Sequence, residues 1–120
     1  MPRKLLLVVF GNEPCRRNHA FMYALDLEAK GHQVRILLEG EATRCLAERE
    51  GRFGELFEQA LKRGLIAGAC QAASRGCCTG DPARNVEALA KEQGLPLFAD
   101  MQGHASIAAF VEEGYEVVTF

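Results

Sequence analysis

The sequence is short of the features that mark a charged or membrane-borne partner. Its 14 Lys and Arg residues are outnumbered by 16 Asp and Glu, giving a formal net charge of -2, and the basic residues are scattered among the carboxylates. No basic stripe is left for a phosphate backbone or an anionic lipid surface, so neither nucleic acid nor membrane is expected as a partner. Like-charge runs and low-complexity tracts are missing too. With 48% apolar and 25% charged residues, the composition is that of a packed globular domain rather than a disordered chain. The apolar run at residues 5–10 follows the basic flank Met1-Pro2-Arg3-Lys4, as in a signal peptide. It is too short for that role and ends in Gly11-Asn12-Glu13-Pro14 with no small-residue cleavage site, so it reads as a buried strand. The expected setting is cytoplasmic, where thiols stay reduced.

Several motifs are absent as well. Neither the Gly-x-Gly-x-x-Gly turn of a dinucleotide fold nor a P-loop follows the first apolar run. A Thr- and Gly-rich flavin phosphate loop is missing, and Cys70 stands where a response-regulator receiver needs an aspartate. There is no Cys-x-x-Cys pair. An odd count of five cysteines without even spacing argues against a disulfide framework and turns attention to thiol reactivity or metal binding.

What is present is an alternation. Five short apolar runs, at residues 5–10, 33–38, 65–69, 95–98 and 116–120, are separated by helical patterns across a chain of 120 residues. That order predicts a single α/β domain over residues 1–120, with a five-stranded, mainly parallel sheet and helices on both faces. A flavodoxin-like doubly wound arrangement is expected. Asn18 is read as the cap of a helix carrying Phe21, Leu25 and Ala29, stopped by Gly31. Asp81-Pro82 opens another, with Val86, Leu89 and Ala90 as its stripe before Gly94. Ile107, Phe110 and Val111 form a third stripe before Gly114. The longer crossover at residues 39–64 is expected to hold two helical pieces broken around residues 51–54, with Leu56, Phe57 and Leu61 turned inward.

In an open parallel sheet, ligands bind beyond the carboxyl ends of the strands. Asn12, Cys15 and His19 follow the first strand, Cys70 ends the third, and His104 follows the fourth, so all five lie at the candidate edge. His32 enters the second strand from the opposite side and reads as structural. A flavodoxin-like order makes the first and third strands neighbours, which would bring the Cys15 loop and Cys70 into one crevice. Cys70 also opens an apparent helix, Gln71-Ala72-Ala73-Ser74-Arg75, whose positive end, with Arg75, is expected to lower the thiol pKa below its ordinary value. The bland alternative is a small buried apolar side chain. Cys77 and Cys78 are adjacent, and can resolve an oxidised Cys70, pair with each other, or join Cys70, His19 or His104 as metal ligands. Cys45 reads as packing. The spacing Cys70-x-x-x-x-Arg75 faintly resembles the anion-cradling loop of rhodaneses but lacks its internal glycine.

The strand at residues 65–69 running into Cys70, the opening Lys4-Leu5-Leu6-Leu7-Val8-Val9 and the ending Gly114-Tyr115-Glu116-Val117-Val118-Thr119-Phe120 resemble the DsrE/DsrF/TusD-like sulfur-relay family. The resemblance implies a cysteine persulfide at Cys70, passed from a sulfur donor protein to an acceptor protein, with no organic cofactor. It also implies assembly as homotrimers or hexamers. The adjacent Cys77-Cys78 pair departs from the family pattern. Three functions stand at this point. The first is a sulfur carrier or sulfurtransferase-like protein using Cys70, with Arg75, His19, His104 and Asn12 as binding residues and Cys15, Cys77 or Cys78 as accepting thiols. The second is a non-catalytic small-ligand, partner-binding or redox-sensing module. The third is a metal-binding protein.

Overall fold

Lys4–Val9 (β1), Gln33–Leu38 (β2), Ile66–Cys70 (β3), Leu97–Phe98 (β4) and Glu116–Thr119 (β5) form one sheet in which every pairing is parallel. This computed structural model describes residues 2–76 and 85–120. The helices are Pro14–Ala29 (α1), Gly51–Lys62 (α2), Gln71–Ser74 (α3), Glu87–Glu92 (α4) and Ala108–Glu112 (α5), with a 3-10 helix at Gly40–Leu46. The α/β class and the five parallel strands are as the alternation predicts. The strand order is not. It runs β4-β3-β2-β1-β5, so β2 lies between β1 and β3, and the reversal falls between β1 and β5. The flavodoxin-like adjacency of β1 and β3 is therefore corrected. Strand order is set by which hydrophobic edges pair across long chain separations, and the local pattern does not encode it.

Alternation along β1 divides the core in two. Leu7 and Val9 turn toward one face, where Ala20, Phe21 and Ala24 of α1 meet Phe53, Phe57 and Ala60 of α2. Phe21 packs edge-on to Phe53 at 5.1 Å and stacks on Phe57 at 5.9 Å between ring centroids. Leu6 and Val8 turn the other way, joining Leu37, Cys70, Ala73 and Ala105, with Phe98, Phe110 and Tyr115 packed against them only partly buried. Helices thus lie on both faces, but unequally. No residue of α5 is fully buried, and the stripe expected at residues 107–111 leaves Val111 at 52% exposure.

Two helix starts differ from the sequence reading. α1 begins at Pro14 and is capped by Glu13, whose carboxylate accepts from the N–H groups of Cys15 and Arg16; Asn18 lies inside the helix. Pro14 fixes the first-turn φ and has no N–H to satisfy, so the helix can start one turn earlier than Asn18 implied. The crossover piece breaks at residues 47–50 and α2 starts at Gly51, whose positive φ of 60° makes glycine the residue suited to the turn. The Asp81-Pro82 cap lies outside the described residues. No described helix is long and apolar enough to cross a membrane.

Candidate functional site

Cys70 ends β3 and caps α3, so its side chain is fixed between a strand and a single helical turn. Its carbonyl accepts from the Ser74 hydroxyl at 2.7 Å, and its sulfur accepts from the Ala73 N–H at 3.5 Å. The Ala105 N–H also points at the sulfur, and His104 Nδ1 lies 3.7 Å away. The His104 ring is held by a two-residue hairpin. Met101 and His104 exchange backbone bonds of 2.9 and 3.0 Å across Gln102 and Gly103, both with positive φ, and the Gly103 carbonyl accepts from the Ala72 N–H.

The neighbour that sequence reasoning missed is Glu39. Leu38 pairs with Ala69, so the next residues, Glu39 and Cys70, stand side by side at the carboxyl edge of adjacent strands. The Glu39 carboxylate lies near enough to the Cys70 thiol to raise its pKa, and it accepts the Gly40 N–H at 3.0 Å. A usable signal existed: Glu39 directly follows β2, the same placement that singled out Cys70.

These groups have an electrostatic consequence opposite to the one expected. Burial pushes the Cys70 thiol above its ordinary pKa, the Ala73 and Ala105 amides pull it back in part, and the Glu39 carboxylate pushes it further up. The helix offers little help because α3 is only 4 residues long. Arg75 does not reach the sulfur at all. Its guanidinium is committed to Glu87 through bonds of 2.8 and 3.1 Å. In this arrangement Arg75 pairs with Glu87 rather than with Cys70.

Cys70 itself is fully buried, but it lies behind the wall of a cleft of about 350 Å³. Glu39, His104 and Ala105 belong to both the cleft lining and the contacts of the sulfur, and Val8, Phe10, Leu37, Met101 and Ile107 supply the apolar remainder. Phe10 and Met101 are 49% and 53% exposed, so the apolar lining continues out to the surface. This is a concave, mostly apolar site with a few converging polar groups.

The other predicted residues fall elsewhere. Cys15 opens α1, the helix that covers the opposite face of the sheet from the Cys70 side chain, so the two thiols do not share a crevice. Its sulfur lies 3.6 Å from His19 Nδ1, which also bonds the Cys15 carbonyl at 2.7 Å, and both residues are exposed. Asn12 belongs to a second, polar cleft of about 300 Å³, where it bridges Glu48 at 2.8 Å and the buried Arg17 at 3.1 Å. Arg17 was not anticipated; its guanidinium carbon lies over the Phe53 ring, 3.9 Å from its centroid. Cys77 and Cys78 lie outside the described residues. Among the described residues no group of three or more His, Cys, Asp and Glu side chains is arranged to hold a metal ion. Cys45 is fully buried in the α1–α2 core, where desolvation pushes its thiol up to about 12, and it packs as expected.

No family model matches the sequence, and no solved structure matches it. A stretch of 43 residues is 33% identical to an uncharacterised protein of Archaeoglobus fulgidus, covering 36% of this chain and 70% of that protein. The two proteins belong to one family. The relative's description states no activity, so the chemistry has to be read from the Cys70 cleft itself.

Proposed function

We propose that the protein is a sulfur carrier of the DsrE/DsrF/TusD-like kind, working in a reducing cytoplasmic setting, with Cys70 as the residue that bears the persulfide. The observation that carries this reading is the meeting of one thiol, one imidazole and two inward-aimed amides behind the wall of an accessible cleft. His104 or Glu39 takes the thiol proton, and the Cys70 thiolate attacks the outer sulfur of a donor persulfide. A new S–S bond forms as the donor's own S–S bond breaks, and the donor leaves as a thiolate that picks up a proton. The amides of Ala73 and Ala105 then face the sulfur, where they favour its anionic form.

The test is mass spectrometry after incubation with a cysteine desulfurase and cysteine. The parent protein gains the mass of one sulfur atom, and Cys70→Ser gains nothing. Equal loading of the Ser variant removes Cys70 from the carrier role.

A second reading is favoured by the full burial and raised pKa of the thiol: a small-ligand or redox-sensing module in which Cys70 reports on the cleft. Thiol titration separates the two, because a carrier must react with a persulfide near neutral pH and a passive module need not. Assembly into trimers or hexamers belongs to the same proposal. It is supported by the apolar side chains left uncovered on α5 and β5, Val111, Val117 and Val118.

A further inference from the structure

The charge of the Cys70 cleft bears on which sulfur compound can enter it. Among the described lining residues Glu39 is the carboxylate, His104 the imidazole, and no lysine or arginine is present. The nearest arginine in sequence, Arg75, is bound to Glu87. Among the described residues the Gly40 N–H donates to the Glu39 carboxylate, which keeps acceptor capacity that a donor entering the cleft can use. An anion entering the same space would be brought against this carboxylate with no lysine or arginine among the described lining residues to offset it, between walls of low polarity that strengthen the repulsion. The remaining walls, Val8, Phe10, Leu37, Met101 and Ile107, suit a short hydrocarbon.

We propose that the cleft selects a low-molecular-weight sulfur compound with a short apolar body and a cationic end, its ammonium group seated on Glu39 and its sulfur presented to Cys70, and rejects anionic sulfur species. This inference rests on the sulfur-carrier reading for its biological meaning, and it names the substrate class of that same site. Glu39 is then a specificity residue. It stands beside Cys70 because β2 and β3 are neighbours, and ligand ammonium on its carboxylate offsets the negative charge that opposes thiolate formation.

Three methanethiosulfonates test it: the 2-aminoethyl reagent as cation, the methyl reagent as neutral, and the 2-sulfonatoethyl reagent as anion. In each reaction the Cys70 thiolate attacks the sulfenyl sulfur, the disulfide forms, and methanesulfinate leaves with the bonding electron pair. Rates are followed by intact mass in a chain carrying Cys15→Ser, Cys77→Ser and Cys78→Ser, and each rate is divided by that of the same reagent with free N-acetylcysteine. The expected order is cation, then neutral, then anion, with about a tenfold span between the extremes, as a single charge at close range gives. Glu39→Gln collapses the span toward unity, and Glu39→Asp retains it. An anion that reacts as fast as the cation in the Glu39 chain overturns the proposal without any appeal to a variant, as does a Cys70 that none of the three reagents modifies. A charge order that persists in Glu39→Gln also overturns it. Persulfide loading that fails while the charge order holds removes the carrier reading alone; loading that succeeds without a charge order removes this inference alone.

Discussion

The two faces of the sheet are built from the same alternating strands but are closed to different degrees. On the α1–α2 face, two helices of 16 and 12 residues lay down Phe21, Phe53 and Phe57 with at most 2% exposure. On the other face, α5 has 5 residues, none fully buried, and the aromatic rings of Phe98, Phe110 and Tyr115 remain partly open. An apolar binding site needs the looser packing of the second face. The closed face carries a polar cleft beside Arg17 over a packed aromatic core, whereas the open face leaves an apolar cleft and places Cys70 and His104 behind or along its wall.

Truncating one ring on each face should give unequal losses of stability. Phe57→Ala removes a fully buried aromatic from the closed face and is expected to cost about 3–5 kcal/mol in urea unfolding. Phe110→Ala removes a ring that is only partly buried and that meets Phe98 and Tyr115 edge-on, so a loss of about half as much is expected. Equal losses would mean that the open face is a complete core in solution, covered by something beyond the described residues.

That cover is the subject of a second, smaller effect. The burial of Val117 and Val118 stops at 38% and 40% exposure on an edge strand paired only to β1, a surface that another copy can cover. Val118→Asp is expected to shift sedimentation toward the monomer while leaving the monomer's own stability within about 1 kcal/mol, since surface changes away from a core are mild. A parent protein that already sediments as a monomer at micromolar concentration sinks the assembly proposal.

How far the sequence could be read follows the same division. The strand-helix alternation, Cys70 at the end of β3 and His104 after β4 were legible because each depends on local order and on the carboxyl-edge rule. The adjacency of Glu39 and Cys70 was not, since it follows from β2 lying beside β3, a pairing that joins Leu38 to Ala69 far along the chain. Glu13 was overlooked as a cap because Asn and Asp dominate that position, although Pro14 after it marked the same start. The sign of the Cys70 shift was misjudged for an energetic reason. Amide donors were foreseen and one is present at 3.5 Å, but a one-turn helix adds little field, and burial beside a carboxylate outweighs it.

The smallest effect compares two cysteines that are both fully buried, Cys45 on the closed face and Cys70 on the open one. Desolvation raises the Cys45 thiol from an ordinary 9.0 to about 12, so the folded chain holds this proton over a pH range in which the unfolded chain has released it. A group of this sign contributes its full stability below the unfolded pKa and loses it as pH rises. Unfolding free energy is therefore expected to be flat with respect to Cys45 up to about pH 9, and then to fall by about 1.4 kcal/mol per pH unit toward about pH 12. Cys45→Ala should lower stability at neutral pH through the lost packing while removing that component of the slope. Cys70 has the same direction of shift, but its sulfur adjoins residues that line a cleft, so its proton should be lost to reagents as well as to base. Alkylation at Cys70 is expected to accelerate with pH from 7 to 9 in the folded protein, with Cys45 untouched until the chain unfolds. Equal labelling of both thiols under native conditions would erase the distinction between the faces, because two sulfurs alike in burial would then be alike in access.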